Sequence, residues 1–552
     1  MPVLLLGPAL LPGYVLSYDM VWVPHLALRS DFLGLGPGVP RAVPSDAVVA
    51  VVDNLIPAQV LQKLVLYGAL LLAGLGASRL VNGSVVARCV AISVAVWNPF
   101  VVERLRMGHW PVLLGYAVLP WLVVLVRRAR ADGRVPLPLF ALIPLGSLSA
   151  SAGLVTTLAV GVLGLGRAPD RLWGRLLALA AAANAPWVVA GLLHPPRRSG
   201  LVGAEYFALH SEGVLPAPLA ALTGGGIWNA EVVPSSRGTA LAWIGLIALA
   251  VLAAVGARES RRRLGDAVAW RLVVLWSVGY AVAVLTWLAP GAVDRLATGV
   301  PGAGLVRDGT RYLGLCLPLV LVAVATGAEA ITRLPAVRVA RVVAGGACAL
   351  LPLMVLPDAA MGADHQLAAV SFPGSWSRAR AALAQAESAA PGDLLVLPFS
   401  SYRAPDWNGG RKVLDPLGRY LTPDYVASDV LTVSGHPAGG DDPRVPRIER
   451  ILGEPDPAVR ASELAAMGIR YVVRDLTVAG TAEATALPVG RTLYADSGIV
   501  VLRLTGSVRL RHNPWYDVAL MAGAWGAFLA IPVVGLLTGL RRRSQVGSRR
   551  PL

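Results

Sequence analysis

The residues best equipped for chemistry lie just outside apolar runs. Asp19 follows Ser17-Tyr18 directly after the first apolar segment. A carboxylate at the edge of a low-dielectric layer is expected to have a raised pKa. That suits it to take a proton from a hydroxyl group held within ~3 Å. An ordinary solvated loop acid, the plainer alternative, describes Asp31 better. Further on, Trp97-Asn98-Pro99 and Gly108-His109-Trp110 bracket a short turn that carries Glu103, Arg104, Arg106 and His109. Ionisable groups at membrane depth are costly and tend to be functional, and the planar fork of arginine matches phosphate oxygens. Interfacial snorkelling beside Trp97 and Trp110 is the alternative. A second basic group, Gly302-Ala303-Gly304 followed by Arg307-Asp308 and Arg311-Tyr312, puts its two arginines on one face if helical. A lipid phosphate between them is the functional reading, and pairing of either with Asp308 is the structural one.

The stretch 194–238 adds His194, Arg197, Arg198, Glu205, Tyr206, His210, Glu212, Gly224-Gly225-Gly226, Trp228 and Asn229. Aromatic, amide and glycine residues together suit sugar stacking. The glycine run is not a P-loop, because no Lys-Ser/Thr follows it. Zinc-ligand spacing, a Ser-His-Asp arrangement and a dinucleotide fingerprint are all missing from the sequence. In the first loop, Asp46 reads as the N-cap of a short helix lying in the interface, with Asp53 on its polar face.

These residues need a membrane to be organised around. The 552 residues are 55% apolar and only 15% charged, with a mean hydropathy of +0.61. A soluble chain carries about 25% charge, so the apolar excess must face lipid. Apolar runs near the length of a ~30 Å hydrocarbon layer recur at 2–17, 59–81, 84–103, 111–127, 136–150, 152–167, 172–193, 239–257, 268–289, 312–332, 338–357 and 515–540. The expected architecture is a polytopic α-helical membrane protein of about twelve spans, with 136–167 alternatively forming one broken hairpin. The net charge of +16 is not a nucleic-acid signal, because the arginines sit in short loops between spans. Arg127, Arg128, Arg130 and Arg134 fall on one side with Arg167, Arg171 and Arg175. Arg258, Arg261, Arg262, Arg263, Arg333, Arg338, Arg341 and Arg541-Arg542-Arg543 join them. The positive-inside rule makes that side, and both termini, cytoplasmic. No basic residue precedes the first span, which disfavours a cleaved signal peptide. Cys89, Cys316 and Cys348 lie inside apolar runs and read as small buried hydrophobes.

The opposite side then holds the loops 18–58, 194–238 and 290–311 of a membrane module spanning 1–361. It also holds 362–513, a more polar stretch with β-like runs at 394–397, 470–473 and 499–502 and a helical stretch from Asp456 to Met467 ending at Gly468. This reads as a small extracytoplasmic α/β domain, followed over 514–552 by the last span and a basic tail.

Ser17-Tyr18-Asp19-Met20, Trp97-Asn98-Pro99 with Glu103-Arg104 and Gly108-His109-Trp110, and Pro301-Gly302-Ala303-Gly304 with Arg307-Asp308 resemble a known pattern. An acid opens the first external loop, and a second acid stands on the short turn after the third span. That is the layout of the C-class (GT-C) integral-membrane glycosyltransferases. More narrowly, residues 1–360 resemble actinobacterial proteins related to the N-terminal transmembrane region of alpha-(1→3)-arabinofuranosyltransferases. The resemblance implies a polyprenyl-phosphate sugar donor, an envelope glycan or glycolipid acceptor, and inverting transfer of arabinofuranose or mannose on the outer face of a bacterial plasma membrane. It implies Asp19 as base and Glu103 as second acid. Arg104, Arg106, Arg307 and Arg311, with His109, would hold the lipid phosphate. Tyr18, Trp228, Asn229 and Asp308 would meet sugar. No cofactor is implied, and the absence of an Asp-x-Asp motif in the first external loop argues against a bound metal. The chain departs from the large arabinofuranosyltransferases in having only a small external segment. A non-catalytic scaffold, or a transporter of lipid-linked glycans, is the competing expectation. A transporter would need ionisable groups along a path through the spans, and these spans are nearly charge-free.

Overall fold

The computed structural model describes residues 1–166, 168–194, 203–300, 302–433, 436–438, 440 and 442–547. Arg167, Arg197, Arg198, Pro301 and the side chains of Arg542 and Arg543 lie outside the described residues. Among the described residues, nine helices are long and apolar enough to cross a membrane. They are Ala58–Val81, Val85–Arg106, Trp110–Asp132, Arg171–Leu193, Ala240–Leu264, Asp266–Leu288, Gly309–Arg333, Arg338–Val355 and Trp515–Arg541.

Three expected spans are not full crossings, and in each case proline is the reason. Residues 2–17 form a helix over Pro2–Leu6, a 3₁₀ turn over Gly7–Leu10 and a strand at Tyr14–Val15. Pro8 and Pro12 each remove a backbone donor, so no helix can run through them. The segment 136–150 keeps a seven-residue helix, Leu139–Leu145, bounded by Pro138 and containing Pro144. The next helix, Ala150–Gly164, has 15 residues, about 22 Å at ~1.5 Å per residue. Together 136–167 matches the broken-hairpin alternative better than two spans.

Ion pairs draw the arginine-bearing helix ends to one face. Arg130 pairs with Asp170 at 2.5 Å, and Glu329 takes Arg263 at 2.8 Å and Arg333 at 2.6 Å. Arg271 Nη1 donates to the Leu163 carbonyl at 3.2 Å. The opposite face carries a five-stranded mixed sheet in the order Gly490–Ala495, Ile499–Leu504, Ile469–Asp475, Asp393–Leu397, Tyr425–Val426. The first three strands are antiparallel, and Asp393–Leu397 runs parallel to both its neighbours. The helix Gly374–Ala389 buries Trp376, Ala379 and Leu383, one stripe at helical spacing. The helix Pro457–Ala466 is capped by Asp456, whose side chain accepts from Ala458 N–H, and Gly468 follows it at φ +92.

The sheet-bearing segment is welded to the membrane module. Tyr14–Val15 pairs antiparallel with Ala369–Val370. Arg29 donates to the carbonyls of Gly418 and Arg419 at 2.9 and 3.3 Å, and Arg380 donates to Pro24 at 2.7 Å. One continuous apolar core contains Leu16, Trp22 and Leu113 of the membrane module together with Trp376, Val396 and Tyr471. Asp46 lies inside the first turn of Ser45–Val52 rather than capping it, and it pairs with Arg419 at 2.6 Å. Asp53 is buried and accepts from Leu26 N–H at 2.8 Å, so it is a loop anchor and not a polar face.

Candidate active site

Asp19 stands between two backbone attachments. On one side Asp19 N–H donates to the Met107 carbonyl at 3.1 Å, and Ser17 Oγ–H donates to the Arg106 carbonyl at 2.5 Å. On the other side Tyr18 N–H donates to the Lys412 carbonyl at 2.9 Å, and Leu414 N–H donates to the Tyr18 carbonyl at 2.8 Å. Tyr18 itself is left-handed, at φ +45, which turns its neighbour Asp19 out of line. The turn that meets Asp19 is also fixed by sequence. Asn98 caps the helix Pro99–Arg106 by accepting from Val101 N–H at 3.0 Å, with Pro99 at the first position. Gly108, at φ +80, then ends it against the 17–20 loop.

A chain of polar contacts runs inward from Asp19. Tyr402 O–H donates to Asp19 Oδ1. His109 Nε2 lies 3.1 Å from Asp19 Oδ2, and His109 Nδ1 lies 3.1 Å from Arg104 Nη1. Arg104 can only donate, so Nδ1 is the acceptor and the ring proton sits on Nε2, pointing at Asp19. Arg104 Nη1 also reaches Asp308 Oδ2 at 3.3 Å, and its Nη2 donates to Thr310. Asp308 accepts from Thr310 at 2.6 Å and from Arg311 Nε at 2.7 Å.

The electrostatics follow from these partners. Burial and the nearby Arg311 and Arg104 charges push His109 down to about 4, against the pull of Asp19, so the ring is neutral at pH 7. Burial alone would raise Asp19, but His109, Tyr402 and Arg311 overcome it and hold the carboxyl below its ordinary range. The raised pKa expected from the sequence is therefore corrected: Asp19 is a pre-ionised acceptor held by two donors. Its side chain keeps 39% exposure, so it can still be approached. Burial would raise Asp308 too, but Arg104 and Arg311 hold it well below the carboxylate range.

Of the residues singled out by sequence, Asp19, Arg104, His109, Asp308 and Arg311 meet in this cluster. Arg104 is 1% exposed and occupied by protein partners, so it orients His109 and does not face a ligand. Asp308 is likewise saturated and buried, not an outward sugar contact. Arg106 turns away and donates to the carbonyls of Val233 and Ala363 at 3.2 and 2.9 Å, which is a structural role. Glu103 is buried beside Glu212 and Gly225, near Arg237, and does not join Asp19. Arg307 lies over the Phe207 ring at 5.5 Å, and Phe207 packs edge-on against Trp228. Tyr18 donates to Glu231, which also binds Lys412 at 2.7 Å, and Asn229 flanks them with its side chain on Met107 Sδ at 3.5 Å. Tyr402, Glu231, Lys412 and Thr310 were not selected from sequence. Thr310 stood inside a quoted run, but Tyr402 lies 383 positions from Asp19 and carries no local signal.

Arg311 remains 31% exposed and lines a narrow apolar cleft with Phe100, Tyr116, Val155 and Gly314. A larger apolar cleft enclosing about 640 Å³ lies elsewhere, between Val90, Leu249, Val324 and Leu351 with Arg237 and Thr223 at its edge. It does not include any residue of the Asp19 cluster.

A multi-pass membrane fold with an α/β segment closed over an acid–histidine–arginine cluster defines the class. Its nearest description comes from known structures. The arabinofuranosyltransferase AftD from mycobacteria matches over 91% of this chain with a TM-score of 0.51 at 16% identity. A mutant form of that enzyme matches over 91% with a TM-score of 0.50 at 17% identity. This chain covers 39% and 41% of those two chains. The likeness is one of fold, so the chain has an AftD-like, GT-C-type membrane fold. No protein-family model matches the sequence, and no curated protein does.

Proposed function

We propose that this protein is a membrane glycosyltransferase that moves a sugar, arabinofuranose or mannose, from a polyprenyl-phosphate donor to an envelope glycan or glycolipid. The observation that carries the reading is Asp19: an exposed carboxylate held by two donors at the face that bears the α/β segment. Each carboxylate oxygen has two lone pairs, so both stay able to accept one more bond. Asp19 takes the proton from the acceptor hydroxyl as that oxygen attacks the anomeric carbon. The bond from that carbon to the phosphate oxygen breaks, and the lipid phosphate leaves with the electron pair, giving inversion. Arg311 is the phosphate contact, since its half-buried guanidinium stands above an apolar cleft suited to the first part of a hydrocarbon chain. Arg307 is a second candidate beside Trp228. Tyr18, Trp228 and Asn229 form the rim that meets sugar. Glu103 is left out of this mechanism because it shares no partner with Asp19. The α/β face is then extracytoplasmic and the arginine-rich face cytoplasmic.

The test is transfer by purified protein in nanodiscs, using radiolabelled polyprenyl-phosphate arabinofuranose or mannose and short glycan acceptors. Asp19→Asn should lose ~100-fold or more of the rate while eluting as wild type. Undiminished transfer by Asp19→Asn would remove Asp19 as base.

A further inference from the structure

Asp19 is not made by the membrane module alone. Its two backbone neighbours are gripped by a hairpin that belongs to the α/β segment. Tyr402–Arg403 pairs antiparallel with Val413–Leu414, placing Tyr402 opposite Leu414. Leu414 in turn donates to the Tyr18 carbonyl at 2.8 Å. The hairpin therefore extends the 17–20 loop as a third backbone layer, and Tyr402 is the side chain that returns across it to Asp19 Oδ1.

The hairpin is held firmly enough for that contact to matter. Arg403 is buried and pairs with Asp415 at 2.5 Å and Asp475 at 3.6 Å, and it donates to the Pro398 carbonyl at 3.0 Å. Asn408 is wholly buried and donates to the Leu16 carbonyl at 3.4 Å and the Arg411 carbonyl at 2.9 Å. Asp415 N–H donates to the Ser401 carbonyl at 2.9 Å. Tyr402 is thus fixed from both ends of its strand. A residue that only covered the site would need just its ring, which lies 6.1 Å from the ring of Tyr18. The hydroxyl instead completes a pair of donors, one on each oxygen of Asp19, with His109 as the other.

We infer that Tyr402 is a positioning residue for Asp19, so that the α/β segment forms one wall of the reacting site. The inference rests on the transferase reading for the task of Asp19, but the contact can be tested without it. Asp19 is faced by His109 from the 104–110 turn, Tyr402 from the hairpin, Arg311 from the 309–316 turn and Arg419 from the α/β segment, with Arg104 and Asp308 behind His109. Removing one donor from an ionised carboxylate strengthens its hold on a proton, and strengthening the donor does the reverse.

Two variants of opposite sign follow. Tyr402→Phe deletes the hydroxyl and keeps the ring. Incorporating 3-chlorotyrosine at position 402 keeps the hydroxyl and makes it more acidic. The first readout is the infrared carboxyl band that disappears in Asp19→Asn, followed against pH in purified protein. The second is the acid limb of the transfer rate. In Tyr402→Phe the midpoint of the band should rise by about one to two pH units. In the chlorinated protein it should fall, and the acid limb should follow in each case. Midpoints unmoved in both variants overturn the inference. Midpoints that move in a protein with no transfer activity overturn the transferase reading and leave the Tyr402–Asp19 contact standing. A loss of rate in Tyr402→Phe with an unchanged acid limb assigns the residue to packing and also overturns the inference.

Discussion

Asp19 and His109 hold opposite protonation states at neutral pH, and that has a consequence for stability. His109 titrates at about 4 in the folded chain against 6.5 for a free side chain, and Asp19 lies below its ordinary value. Both groups bind fewer protons folded than unfolded, so stability is fully present above the ordinary values and drains as pH falls. The melting temperature should drop as pH goes from about 6.5 toward about 4, and His109→Gln should flatten that drop. A fall that is identical in the variant would show that His109 is not its source. The two arginines separate kinetically. Arg104→Lys loses the fork that spans His109, Asp308 and Thr310, so kcat should fall ~10- to 150-fold with donor KM little changed. Arg311→Lys should act mainly on donor KM. Equal effects of both on KM would place Arg104 against the donor after all. Composition and position made these arginines conspicuous in the sequence, because basic residues are scarce on that side. Their division of labour was not legible there. It depends on Asp308 bonding across 204 positions to Arg104, which no local pattern encodes.

At the level of elements, the site depends on one close backbone approach. A Cβ at Gly108 would stand 2.1 Å from Met20 N and 2.6 Å from the Ser17 carbonyl, at a φ of +80 that L side chains avoid. Gly108→Ala should therefore push the 17–20 loop away, with transfer lost and folded yield reduced. Gly133→Ala is the control, since Gly133 shares a positive φ of +65 but has nothing within 4 Å. It should cost only ~1 kcal/mol and leave transfer unchanged. Comparable losses in both would reduce Gly108 to a strain effect. Strands and long helices were legible because each is a local pattern: the apolar runs at 394–397, 470–473 and 499–502 all lie in the sheet. The short pieces were misjudged because apolar content was read without weighing proline. Residues 2–17 have the composition of a span, yet Pro8 and Pro12 divide them, and the freed Tyr14–Val15 edge pairs with Ala369–Val370 instead.

The whole molecule has two chemically different faces, and their assignment to the two sides of a membrane rests on charge. Arg130, Arg263, Arg271 and Arg333 gather at one face through contacts with Asp170, Glu329 and the Leu163 carbonyl. The α/β segment and the Asp19 cluster occupy the other. Cytoplasmic loops are enriched in arginine and lysine because translocating them is unfavourable, so the first face should be cytoplasmic. The arginines of the Asp19 cluster do not upset that vote. Arg104 and Arg106 are buried and satisfied by protein groups, and Arg311 is tied to Asp308, so none adds a loose surface charge to the outer face. The prediction is read with single cysteines at exposed positions in a background from which Cys89, Cys316 and Cys348 have been replaced. Ser377→Cys lies on the α/β face and Ala131→Cys on the arginine-rich face, and both side chains are exposed. In intact spheroplasts an impermeant maleimide should label Ser377→Cys and leave Ala131→Cys untouched until the membrane is permeabilised. The reverse pattern would put Asp19 in the cytoplasm, where an extracytoplasmic donor and acceptor could not reach it, and the transferase reading would fall with the topology.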